Sequence, residues 1–285
     1  MTHRDVRQLI PAQEVTEGAG VTVRRTLGTP ARRILDPFLL LDHFSSDNPD
    51  DYIAGFPDHP HRGFITFTYM LDGHMLHRDS MGNQGDLQSG GAQWMKAAGG
   101  VIHSEMPQQS GGLMRGFQLW INLPASEKMS APGYQEFSAE AFPVHQGTGL
   151  EVKVLSGEYA GLQGPIEDPH TRVQYLDVRL GSGQAFEHEL PADLNVFVHL
   201  YEGEAGVADT PLRPYSLAVL GAGERVGITA GAAGARLILV AGRPIGEPIV
   251  QHGPFVMNSQ AEIHQAMRDY RDGRLVQQRA AVTGQ

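Results

Sequence analysis

Apolar and polar residues alternate in short runs along most of the chain. GVTVRRTLG, FITFTYMLDG, GFQLWINLP, LEVKVLSGEY, RVQYLDVRLG, LNVFVHLYEG and ARLILVAGRP are rich in β-branched and aromatic residues and are bounded by turn residues. A period of two between turn residues predicts strands. One segment differs. SQAEIHQAMRDYRDGRL, near the C-terminus, has helical spacing, with Ser259 as N-cap and Glu262 as its capping-box partner. Ile263, Met267 and Tyr270 form the expected buried face and Gly273 the stop. The pattern predicts an all-β protein with one C-terminal α-helix.

The pattern also repeats. FTYMLDG at 67–73 resembles FVHLYEG at 197–203, and DLQSGGAQW at 86–94 resembles SLAVLGAGE at 216–224. Both pairs share an offset of about 130 residues, as an internal duplication requires. Each copy is the size of one β-sandwich or small barrel. The stretch LPASEKMSAPGYQEF, rich in small, polar and Pro/Gly residues, is the expected linker. The expected domains are 1–133 and 134–285, the second including the helix.

Composition narrows the class. The 285 residues are 41% hydrophobic and 19% charged, within the range of soluble globular domains. The 35 glycines and 18 prolines suit many turns between short strands. The absence of Cys excludes disulfides, thiolate ligands and Cys nucleophiles. The start lacks the apolar core of a signal peptide and no run reaches a membrane span, so a cytoplasmic protein with no membrane partner is expected. A net charge of -10 disfavours direct nucleic-acid binding. Arg24, Arg25, Arg32 and Arg33 are read as a solvated surface.

Candidate chemistry sits in GFPDHPHRGFITFTYMLDGH. His59 and His61 are two apart, so on a strand both point to one face, and Pro60 between them places that segment at a sheet edge or strand start. Alone, an HxH pair is more often two surface histidines. GGVIHSEMP adds a second pair at the same spacing, His103 and Glu105. Two such pairs on neighbouring strands surround one point with three imidazoles and a carboxylate. This set suits Fe(II), Mn, Ni, Cu or Zn and leaves coordination positions open for water, dioxygen or substrate.

Taken together, FPDHPHRGFITFTYMLDG and DSMGNQGDLQSGGAQWMKAAGGVIHSEMP, with PFLLLDHF before and GFQLWINLP after, closely resemble the pirin family over residues 37–124. The resemblance implies two cupin domains (double-stranded β-helix, or jelly-roll) packed face to face. It implies a metal in the N-terminal domain, usually iron, held by His59, His61, His103 and Glu105. Some pirins act as quercetin 2,3-dioxygenases, whereas others are redox-sensitive regulators that work through protein partners. The expected function is therefore a metal-dependent dioxygenase acting on a flavonol-like substrate and dioxygen, with Glu105 also accepting the substrate proton. The alternative is a metal-binding regulator with a protein partner. A monomer is expected. Many relatives carry Glu or Gln where Ile65 stands, and Gly91, Ala92 and Lys96 also depart from the usual pattern. Ile65 predicts drier surroundings for the ligands.

Adding the repeat offset to the four ligands reaches Glu189, Pro191, Ala233 and Ala235, so a metal-free C-terminal domain is expected. His43, Phe56 and Gln118 are expected at the substrate pocket. His74 and His77 are read as solvated, and His188, His199 and His252 have no paired ligand spacing. Trp94 and Trp120 are read as core or rim anchors. Ser104 lacks a triad pattern, and GAGERVG at 221–227 lacks dinucleotide-loop spacing.

Overall fold

The computed structural model describes residues 2–277. Every run with period-two alternation named above lies in a strand, and Gln260–Arg271 is the α-helix. The chain forms two compact units. The strands build two cupin domains, the architecture expected.

The unit holding the ligand candidates comprises Glu14–Gly28, Phe38–Ala139 and the chain from Ile245 on. Its larger sheet runs Gly133–Phe137, Ala92–Lys96, Phe64–Asp72, Met114–Asn122, Phe38–Ser46, Val21–Leu27, Gln13–Glu17. A four-stranded sheet runs Phe56–His61, Val101–Pro107, His74–Asp79, Gln84–Gln88. Phe56–His61 is an edge strand, as Pro60 requires. Val21, Val23, Phe44, Met70, Met75, Leu87 and Met114 pack into one apolar cluster of this unit.

The other unit takes the chain up to Gln13, Thr29–Pro37 and Glu140–Pro244. Its sheet runs Val6–Pro11, Ser216–Leu220, Asn195–Val207, Arg225–Gly242, Gln174–Leu180, Leu150–Ser156, Val144–Gly147. Its core cluster is apolar, built from residues such as Val154, Leu176, Val198 and Leu239. At about 1.5–3 kcal/mol for each fully buried Val, Leu or Phe side chain, packing is the main stabilising contribution here.

The repeat is visible in strand order. FTYMLDG lies in Phe64–Asp72, between Ala92–Lys96 and Met114–Asn122; FVHLYEG lies in Asn195–Val207, between Ser216–Leu220 and Arg225–Gly242.

Three expectations change. First, contacts do not divide the chain at 133/134. Val6–Pro11 pairs with Ser216–Leu220, and the C-terminal helix joins the unit of the ligand candidates, because Arg62 holds Asp269 of the helix. Second, the expected linker is partly built into that unit. Lys128 is buried, and its Nζ donates to the carbonyls of Gly63 and Val256 and to Asn122 Oδ1 at 2.7–2.9 Å. Third, Ser259 does cap the helix, accepting from Glu262 N–H, but the buried side chains are Ile263, Ala266 and Asp269. Met267 and Tyr270 are 41% and 43% exposed, because the i, i+3 stripe faces inward. Among the described residues no helix is long and apolar enough to cross a membrane.

Candidate metal centre

Val101–Pro107 is a middle strand, and its pairing assembles the site. On one side His103 pairs with His59 and Val101 with His61. On the other, His103 pairs with Asp79 and Glu105 with His77. Directly opposite and diagonal side chains on one face of a sheet meet, so one strand collects side chains from both neighbours. Gly63, just past the histidine pair, has φ +90°, and a Cβ there would lie 1.9 Å from the Val256 carbonyl. Only glycine permits that approach.

The ligating atoms of His59, His61 and His103 all lie within 4.8 Å of one another. Their ring centroids are 4.3–4.9 Å apart. His59 Nδ1 donates to the Pro57 carbonyl at 2.8 Å, so the neutral form of this ring would present Nε2 as its acceptor. His103 Nε2 is buried with no hydrogen-bond partner. An orphaned buried nitrogen costs about 1–3 kcal/mol, so His103 Nε2, on a ring clustered with those of His59 and His61, fits a cation better than it fits an apolar interior. Burial, reinforced by neighbouring histidines, holds the imidazoles of both His61 and His103 well below the usual histidine range. Both rings are therefore neutral, the form that ligates a metal.

Glu105 belongs to a second, overlapping group: its carboxylate lies with the nitrogens of His77 and His103, again within 4.8 Å. Thr68 Oγ1 donates to Glu105 Oε1 at 3.2 Å and Gln118 Nε2 to Oε2 at 2.7 Å. Gln118 Oε1 in turn accepts from Trp120 Nε1 at 3.1 Å. A cavity of about 560 Å³ opens beside His59, with Leu40, Phe56, Gln118, Trp120 and Pro254 among its walls. Arg25 also lines it, donating from Nε and Nη2 to both oxygens of Asp42 at 2.6–2.7 Å and from Nη2 to Glu17 at 2.7 Å.

Residues 20–121 match the Pirin family and residues 175–276 the Pirin C-terminal cupin domain. The chain is 48% identical over 276 residues to a pirin-like protein of Caulobacter vibrioides, covering 96% of this chain and 100% of that one. The chain belongs to the pirin family. Mouse pirin is 41% identical over 269 residues, covering 92% of this pirin and 91% of the mouse protein. A crystal structure of quercetin 2,3-dioxygenase from Acinetobacter baumannii superposes with a TM-score of 0.89 at 31% identity, over 96% of this chain and 99% of that one.

Of the residues expected at the pocket, Phe56 and Gln118 line the cavity of this pirin. His43 does not: it is buried and stacks on Phe117 at 4.6 Å, whereas its neighbour Asp42 faces the cavity. Alternation along the strand separates the two. The same rule relocates Ile65. Phe64 packs against His61 and Trp120, and Thr68 reaches Glu105, so the even-numbered side chains of Phe64–Asp72 face the site. Ile65 is buried on the opposite face and does not dry the ligand surroundings.

His77 is the largest revision. It is 1% exposed, not solvated, and touches His103. Its partner is Asp79, and HMLHRD carries this His-x-Asp pair at the same i, i+2 spacing as the other two pairs. That spacing was the available signal. Burial would raise the Asp79 pKa, but hydrogen bonds from His77, Asn83 and Met81 hold it below the usual carboxylate range. Arg25 is likewise part of the cavity wall, not a solvated surface residue.

Proposed function

We propose that this pirin is a metal-dependent dioxygenase of the quercetin 2,3-dioxygenase type, with His59, His61, His103 and Glu105 holding one divalent transition ion. Fe(II) is the first expectation, and the nitrogen-rich donor set also suits Ni, Cu, Mn and Zn. The observation that carries the proposal is the cluster of three imidazoles, with His103 Nε2 buried and unpartnered, beside the cavity at His59.

When bound, the ion would supply a Lewis acid for a substrate hydroxyl and a redox-active neighbour for dioxygen. The chain supplies the rest. Trp120, Phe56 and Pro254 offer apolar walls to a planar ring system, and Gln118 and the Arg25–Asp42 pair offer hydrogen-bonding groups to its hydroxyls. The acidic Glu17, Asp42 and Asp58 in the same wall disfavour an anionic substrate. Glu105 accepts the substrate hydroxyl proton, and the donors Thr68 and Gln118 keep its carboxylate oriented for that step.

The test is aerobic incubation of iron-, nickel- or copper-loaded protein with quercetin, following flavonol loss and carbon monoxide. Loss well above the free-metal background is expected for at least one ion, and no loss with any of them refutes the proposal. Glu105→Ala should abolish turnover.

A further inference from the structure

The overlapping pair of ligand groups raises a question of protons. His103 belongs to the group with His59 and His61 as well as to the one with His77, and its Nδ1 lies 3.4 Å from His77 Nδ1. A neutral imidazole carries its proton on one nitrogen only, so what lies behind His103 decides which nitrogen is free.

The answer begins at Asp79. Its Oδ1 accepts from the main-chain N–H groups of Met81 at 2.9 Å and Asn83 at 3.0 Å, and its Oδ2 from Asn83 Nδ2 at 2.7 Å. All three are donors, so Asp79 is an ionised acceptor. His77 Nε2 lies 3.4 Å from the same Oδ2 and must donate to it. A neutral His77 then has a bare Nδ1, which accepts from His103 Nδ1. His103 is left with a bare Nε2, the buried nitrogen with no partner. The His77 and Asp79 side chains are 1% and 0% exposed, so the pair is shielded from bulk solvent. The Tyr134 ring packs on His77 with centroids 5.0 Å apart.

We propose that Asp79 and His77 form a tautomer relay, Asp79–His77–His103, that presents the lone pair of His103 Nε2 to the metal. Both are positioning residues, and His77 is not a ligand to a second ion. The inference rests on the proposed metal centre. Groups behind a ligating histidine typically change metal affinity by about 10- to 100-fold.

The experiment has two arms. In the metal-free protein with 15N-labelled histidine, long-range 1H–15N spectra report which His103 nitrogen is protonated. In the second arm, nickel(II) is the probe, and its affinity and stoichiometry are measured by chelator competition. Wild type is expected to show His103 protonated on Nδ1 and to bind one nickel per chain. Asp79→Asn offers His77 a donor in place of an acceptor. It should invert both tautomers, place the His103 proton on Nε2, and weaken nickel binding about 10- to 100-fold. His77→Phe, which keeps a ring against Tyr134, should weaken it comparably. The circular dichroism of both variants should match wild type, which separates the relay from misfolding.

His103 protonated on Nε2 in wild type overturns the relay. So does nickel affinity within twofold of wild type in both variants, or uptake of two ions per chain. Wild type that shows the expected tautomer but takes up no nickel overturns the metal centre instead.

Discussion

Arg62 Nη1 meets Asp269 Oδ2 at 2.7 Å in an ion pair whose side chains are 1% and 7% exposed. Arg62 follows the candidate ligand His61 directly. Its other nitrogens donate to the carbonyls of Gly99 at 2.7 Å and Leu275 at 3.3 Å. Asp269→Ala would leave a buried guanidinium uncompensated, at a cost of about 3–5 kcal/mol. Urea unfolding of the metal-free protein measures this. A loss below about 1 kcal/mol, the range of exposed pairs, would show that the pair does not anchor the helix.

Metal removal should read out as stability. An ion that binds only the folded protein, at a free concentration of about 100 times its Kd, adds about 2.7 kcal/mol. A chelator should therefore lower the Tm of the loaded protein. His61→Ala should show no metal-dependent shift, since one of the three clustered imidazoles is gone. A shift retained in His61→Ala would place the ion elsewhere.

Trp120 lines the cavity, and Phe64 packs against its ring at 4.3 Å. Trp120→Ala should raise KM for quercetin about tenfold through lost ring contact. Because Trp120 Nε1 also donates to the Gln118 that orients Glu105, kcat should fall as well. Trp120→Phe should restore most of the KM and none of the kcat, and steady-state kinetics separate these outcomes.

His199 is fully buried, and burial lowers its pKa to about 3. The unfolded chain, with His near 6.5, takes up a proton that the folded form refuses. Stability is therefore full above pH 6.5 and declines as pH falls from there toward 3. At pH 5 the loss from this residue is about 2 kcal/mol. His199→Leu should flatten the change in urea midpoint between pH 7.5 and pH 5. An unchanged slope in the variant would assign the pH dependence to other groups, the buried His61 and His103 among them.

What could be read from the residues was what depends on local spacing. Strand alternation and the Ser259 cap are short-range patterns, and each stands in the structure where its spacing puts it; the HxH histidines lie with His103, whereas Glu105 groups with His77 and His103. What could not be read was pairing between distant strands. His77 reads as a turn residue until Glu105 is known to lie opposite it. His43 and Ile65 were misplaced by one pleat, because their own strands do not reveal which face meets the site. The helix has apolar residues on more than one stripe, and packing around Ile263 and Ala266 selects the buried one.

The exchange of chain ends has a consequence during synthesis. Domains generally fold as they leave the ribosome, N-terminal first. Here the unit that contains His59 and His103 is completed by Val250–His252, Phe255–Met257 and Gln260–Arg271, which are translated near the end of the message. The sheets of this unit are made early, from strands between Gln13 and Phe137, but Arg62 has to wait for its helix partner Asp269 until nearly the whole polypeptide has emerged. A nonsense codon near residue 245 would therefore damage the histidine-bearing unit while leaving every residue of the other one encoded.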